Sequence, residues 1–214
     1  EGAIVNIIDS YIDRRQPDRV KHVYLGKLPV TCYWTVDEVD EGLGPRATTI
    51  TVARPDGRRQ RVRVSPNFKR RLDVEGTAML THGQVLNVTS WPGVYDDVTR
   101  LAQLGMGTGG KGLVPFRSIA VNRFSAAKGL KLGDRVYIPQ AVGLRLPAGN
   151  RHDGYFRVDD VGSGVRGIDI YTLTRRDSEL IERILRNDRH PLAMYKVLAK
   201  KSVRGRLAAR DLTD

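Results

Sequence analysis

The sequence predicts a mainly β protein, a small barrel or sandwich with helices at its ends. Three observations carry that expectation. "RSIAVN", "DRVYIP", "YFRVDD" and "IDIYTL" are short runs rich in strand formers, separated by Gly-rich or Pro-rich turns rather than by helical segments. Two hairpin patterns precede them. Helical spacing of apolar residues occurs only near the two ends of the chain.

In order along the chain, "IVNIIDSYI" places Ile4, Ile7, Ile8, Tyr11 and Ile12 on one side of a helix, so residues 1–29 are expected to be a helical segment. "LPVTCYWTV" reads as the first strand of a barrel spanning 30–175. A β insertion is expected around 36–112. Within it, "TTITVARPDGRRQRVRVS" alternates apolar and polar residues on both sides of a Pro-Asp-Gly turn, the signature of a hairpin. "EGTAMLTHGQVLNVTS" repeats the pattern around His82-Gly83.

"LGMGTGGKGLVP" satisfies GxxxxGK through Gly105, Gly110 and Lys111. Gly112 follows where a magnesium-binding Ser or Thr would stand, and no βα unit surrounds it, so a sharply bending loop is expected instead of a nucleotide site. Residues 176–214 are expected to be helical. "SELIERILRND" aligns Leu180, Ile181, Ile184 and Leu185 behind an Asp177 or Ser178 cap, and "HPLAMYKVLAKKSVRGRLAA" forms a second helix with a basic end.

Composition narrows the function classes. The 214 residues carry 36 Lys+Arg against 24 Asp+Glu, a net charge of +12, which favours an anionic partner. The basic residues are dispersed rather than gathered in one stripe with interleaved aromatics, so nucleic acid is not the expected partner. No run of about 18 apolar residues occurs, so no transmembrane segment is expected. The chain opens on Glu rather than Met, as expected of a processed or trimmed form, and the missing leader says little about compartment.

Cys32 is the single cysteine and is read as a small buried hydrophobe. His22, His82, His152 and His190 have no metal-ligand spacing. Neither metal nor cofactor is expected.

Against this basic background, "YFRVDDVGSGVRGIDIY" sets three aspartates among apolar strand formers. Successive strand residues face opposite ways. The alternation of Phe156 and Val158 therefore puts Asp160 on their face and Asp159 on the other. A carboxyl on an apolar face loses solvation, which raises its pKa. Asp169 follows on the next strand between Ile168 and Ile170, and the tight turn would bring both carboxyls to one cleft. On residues alone, a catalytic carboxyl and an Asx-turn residue fit Asp160 equally well.

"LVPFRSIAVNRFSAAKGLKLGDRVYIP" followed by "FRVDDVGSGVRGIDIY" resembles the three-aspartate (3D) domain of MltA-type lytic transglycosylases and related bacterial cell-wall proteins. The resemblance covers residues 113–172 clearly, and extends more weakly to "VTCYW" and "VEGTAMLTHGQVLN". It implies a double-psi β-barrel that cleaves peptidoglycan glycan strands in the cell envelope, periplasmic or secreted. Asp160 matches the family's acid/base and Asp169 its third aspartate. Asn122 stands in place of the first aspartate, and Lys131-Leu132-Gly133 keeps the glycine but not the proline of a Pro-x-Gly turn.

In the glycine turn Gly162 and Gly167 are retained, while Ser163, Gly164 and Arg166 replace Gly, Ala and Lys. Catalytic roles are thus expected of Asp160 and Asp169. Substrate contacts are expected of Asn122, Gly162, Ser163, Arg166, Tyr33 and Thr77, with Trp34 a further candidate for stacking on sugar. A barrel that binds wall glycan without cleaving it is the alternative, because Asn122 removes one carboxylate.

Overall fold

The computed structural model describes residues 20–40, 44–101, 104–108, 110–122, 129–147, 149–185 and 191–199. The helix expected at Ile4–Ile12 and the basic tail lie outside them. Among the described residues the protein is mainly β. Its larger sheet curls into a half-barrel, consistent with the barrel expected from the sequence.

That sheet has seven strands: β1 (Val20–Leu28), β2 (Val30–Trp34), β9 (Ser118–Asn122), β10 (Arg135–Tyr137), β11 (Tyr155–Gly162), β12 (Ile168–Thr172) and β13 (Leu192–Ala199). Their spatial order is β1-β13-β10-β11-β9-β12-β2. β11 runs parallel to β9, and β12 parallel to β2. The main core lies on one face, where Val30, Ile119, Val136, Phe156, Val158, Ile168, Ile170 and Met194 are buried. Ile181 and Leu185 of helix α2 (Arg175–Leu185) join that core.

The second sheet has six strands: β3 (Val36–Asp37), β4 (Thr48–Ala53), β5 (Arg59–Val64), β6 (Thr77–Met79), β7 (Val85–Val88) and β8 (Val94–Asp97), in the order β3-β6-β7-β8-β4-β5. Both expected hairpins are present within it. β4 pairs with β5 around the Pro-Asp-Gly turn, and β6 with β7 around His82-Gly83. Its core of Ile50, Val52, Val64, Leu86 and Tyr95 is closed by Phe68 and Leu72 of helix α1 (Pro66–Glu75).

Several elements differ from the sequence reading. β1 occupies Val20–Leu28, inside the stretch expected to be helical. "LAMYKVLA" is β13 rather than a second helix. Its residues fit helical and alternating periods alike, and pairing with both β1 and β10 decides between them. Helix α1 was hidden among basic residues, although its end signals are legible. The Ser65 side chain accepts from Phe68 N, Pro66 opens the first turn, and Gly76 closes the helix at φ 84°. The cap of α2 is Thr174, whose Oγ1 accepts from Asp177 N at 3.1 Å, not Asp177 or Ser178.

Gly167 is fixed by space. A Cβ there would lie 2.2 Å from the Pro29 carbonyl oxygen, in the crossing between β1, β2 and β12. Gly167→Ala is expected to destabilise the fold by about 2–4 kcal/mol, read as a lowered urea midpoint at unchanged slope.

Candidate active site

Four neighbouring strands set one row of side chains across the face turned away from the main core. Asp160 on β11 pairs with Ala120 on β9, Ala120 with Asp169 on β12, and Asp169 with Thr31 on β2. Residues two positions along share the face. Gly162 and Asn122 therefore continue it on one side of the row, Tyr33 and Tyr171 on the other. The small Ala120 side chain leaves the floor low between two carboxyls.

A β-bulge brings Asp160 to this face. β11 matches Val158 with Ile119 and then Asp160 with Ala120, so Asp159 is an extra residue. The expectation that Asp160 shares the face of Phe156 and Val158 does not hold, nor does the placing of Asp159 opposite it. The bulge turns both aspartates to one side. Asp159 is the deeply buried one, bound to Ser118 Oγ at 2.6 Å and to Arg157 Nε at 2.5 Å. Gly107 packs against the bulge so tightly that a Cβ there would lie 2.2 Å from the Asp159 carbonyl oxygen.

That contact explains the glycine-rich loop. Its start is clamped where Tyr171 Oη and Thr35 Oγ1 both donate to the Leu104 carbonyl. Gly107 N then bonds Lys111 O at 3.0 Å, closing a tight reversal. The reversal delivers Thr108 to the catalytic candidate. Asp160 Oδ1 accepts from Thr108 N at 2.9 Å, from Thr108 Oγ1 at 2.6 Å and from Val161 N at 2.8 Å. Its Oδ2 lies 3.4 Å from Tyr33 Oη. One oxygen is saturated with donors, and the other faces the cleft and a phenol.

The cleft has a volume of about 1020 Å³ and runs between the two sheets. Asp160, Asp169, Gly162, Ser163, Tyr33 and Thr77 all line it, as do Thr108 and, from β7 and the loop after it, Asn87, Thr89 and Ser90. Thr77 is buried and stands 2.8 Å from the Asn87 side-chain amide. Asn122 does not line the cleft. Its Nδ2 donates to Ser163 O at 3.1 Å and Val165 O at 2.8 Å, pinning the turn between β11 and β12. Arg166 is exposed on that turn, and neither it nor the half-buried Trp34 is among the lining residues.

Both residues of the pair are half-buried, and it is the Asp169 carboxyl that carries a fully buried oxygen. Burial pushes Asp169 up to about 7, the charges of Glu182 and Asp160 add to the effect, and a hydrogen bond from Thr31 opposes it. Its Oδ1 is buried and has no hydrogen-bond partner among the described residues. Such an atom costs free energy unless a donor reaches it. Burial and the neighbouring carboxylates also raise the Tyr33 phenol, keeping it a proton donor. Cys32 is buried and its thiol is pushed upward by burial, which suits packing rather than nucleophilic attack.

Sequence reasoning missed Thr108. Thr108 lay in the one loop whose glycines suggested a phosphate site, and its partner is 52 positions away.

The chain shares its fold with a lytic enzyme. One similar structure is a membrane-bound lytic murein transglycosylase from Agrobacterium tumefaciens, at a TM-score of 0.53 and 14% identity, covering 84% of this chain and 76% of that one. At that identity the likeness concerns the fold. No protein-family model and no curated protein matches the sequence.

Proposed function

We propose that this chain is a peptidoglycan lytic transglycosylase that acts on cell-wall glycan strands in the bacterial envelope. The observation that carries this reading is the state of Asp160. It lines a cleft of about 1020 Å³, one oxygen held by three donors and the other beside the Tyr33 phenol. The likeness in fold to a lytic murein transglycosylase and the three-aspartate resemblance of residues 113–172 support the same substrate class.

In the proposed reaction, protonated Asp160 gives its proton to the oxygen linking N-acetylmuramic acid to N-acetylglucosamine. The C1–O bond breaks through a transition state of oxocarbenium character. The departing N-acetylglucosamine keeps that proton on its freed hydroxyl. The muramic acid 6-hydroxyl then bonds to its own C1 and returns a proton to Asp160. The product is a 1,6-anhydro sugar, and no water is consumed.

One carboxyl serves as both acid and base because the nucleophile belongs to the substrate and needs only to be held in line. Thr108 and Val161 anchor Oδ1, so the proton cycles on Oδ2, where Tyr33 faces it. Asp169, which lines the cleft across Ala120 from Asp160, helps to place the ring over Ala120. Asn122 acts at one remove, holding the glycine turn that bears Ser163. The scheme draws on no cofactor.

Incubating purified sacculi with the protein and with Asp160→Asn tests the proposal. Soluble anhydro-muropeptides are expected from the first and not from the second. Retention on sacculi without any soluble product from the parent would show instead a barrel that binds glycan without cleaving it.

A further inference from the structure

A second feature lies on the same face of the larger sheet, beyond the cleft. Tyr155 on β11 pairs with Tyr137 on β10, Tyr137 with Tyr195 on β13, and Tyr195 with Tyr24 on β1. Four of the chain's eight tyrosines thus form a single row across four strands. Neighbouring ring centroids are 4.8, 6.4 and 5.2 Å apart along the row. The main core takes the alternate residues Val136, Phe156 and Met194, so the tyrosines belong to the opposite face. Tyr24 is 56% exposed on the edge strand, and the other three are half-buried.

His22 leans over the row, 4.9 Å from the Tyr137 ring, with Nε2 3.2 Å from Tyr155 Oη. Arg135 lies over the Tyr155 ring at 5.2 Å. Cross-strand aromatic pairs do stabilise sheets, by about 0.2–1 kcal/mol each. Pairing alone, however, does not call for four rings in one register on the solvent side, since exposed apolar patches of this kind mark binding surfaces.

We propose that this tyrosine row is an accessory site for an extended β-1,4-linked glycan strand. The apolar C–H face of a pyranose stacks on an aromatic ring, and hydroxyls at the ring tips serve the sugar's own hydroxyls. The rungs repeat at the strand spacing of about 4.8 Å, close to the advance of one sugar along such a polymer. Arg135 and the imidazole of His22 supply donors for carboxylates on a muramoyl strand, in keeping with a net charge of +12.

The row and the candidate active site share one face of the sheet, and none of the four tyrosines lines the cleft. Asp160 follows Tyr155 along β11 at a distance of about 13 Å, the bulge removing one step, on the same face. The substrate class rests on the function proposed above, but the binding event does not require cleavage.

The test uses Asp160→Asn as background, so that retention reads binding alone. Co-sedimentation with purified sacculi is measured for this parent, for Tyr24→Ala, for Tyr24→Phe and for the double variant Tyr24→Ala/Tyr137→Ala, with thermal melting as the control for folding. Retention is expected to fall at least about tenfold in the double variant, to fall less in Tyr24→Ala, and to be kept in Tyr24→Phe, whose ring remains. Tyr24 is an exposed edge residue, so its single variant reads the site even where the double variant unfolds.

A parent that does not sediment with sacculi overturns the proposal. So does retention that is equal in Tyr24→Ala and the parent, or retention that depends on salt alone. If Asp160→Asn still digests sacculi, the catalytic assignment fails, while binding by the tyrosine row is still read by the same variants in intact chitohexaose titrations.

Discussion

Asp160→Asn is expected to lower the release of soluble product from sacculi by about 10²–10⁴-fold while leaving the melting temperature near that of the parent. The size follows from what the substitution removes. Asparagine is nearly isosteric, and its carbonyl oxygen can still accept from Thr108 N, Thr108 Oγ1 and Val161 N, the three donors now held by Oδ1. The glycine-rich loop therefore stays anchored. Only the oxygen facing Tyr33 and the cleft is lost as a proton carrier.

Thr108→Val should separate anchoring from proton transfer. It deletes the 2.6 Å hydroxyl bond and keeps the backbone one, so turnover is expected to fall roughly tenfold or more, in line with about 1.5–3 kcal/mol for a hydrogen bond to a charged group. Full turnover in Asp160→Asn would remove this residue from the chemistry.

The second large effect concerns stability. Burial lifts Asp169 to about 7 in the folded chain, above its value in the unfolded one. Folding therefore favours its protonated form. The sign follows from proton binding: between these two values the folded state holds more protons, so stability falls as pH rises. The contribution is fully present below about pH 4 and lost as pH climbs through about 7. At pH 8 the charged, partly unpartnered carboxylate costs up to ~4 kcal/mol.

Asp169→Asn removes that ionisation. The variant is expected to melt several degrees above the parent at pH 8 and close to it at pH 4, in scans at matched ionic strength. A constant difference between the two proteins across pH 4–8 would mean that Asp169 is solvated in the fold. Loss of stability for the sake of a buried acidic group is common where a site is built for substrate rather than for folding.

The sequence carried most of the barrel and part of the site. Strands β9 to β12 were legible because their apolar residues alternate between glycine and proline turns, and β4–β5 because Pro55-Asp56-Gly57 can only reverse the chain there. Asp160 and Asp169 were legible for the same local reason, as carboxyls inside strand patterns.

What escaped was set by partners distant in sequence. Strict alternation cannot foresee the bulge at Asp159, which depends on Ser118 from a parallel strand and on Gly107 from a loop. The error reversed which carboxyl is deeply buried. β13 escaped because its periodicity is ambiguous until β1 and β10 flank it. Thr108 escaped because its loop looked like punctuation, and only its contact with β11 makes it part of the site. The tyrosine row is legible in neither composition nor spacing, since Tyr24, Tyr137, Tyr155 and Tyr195 are brought together by pairing alone.

Digestion of sacculi in ¹⁸O-labelled water, with mass spectrometry of the soluble muropeptides, tests the reaction most directly. A single carboxyl working with the sugar's own 6-hydroxyl yields muramoyl ends one water lighter than reducing ends, with no label incorporated. Reducing ends that carry ¹⁸O would show that water attacks the anomeric carbon, and would contradict the intramolecular route through Asp160.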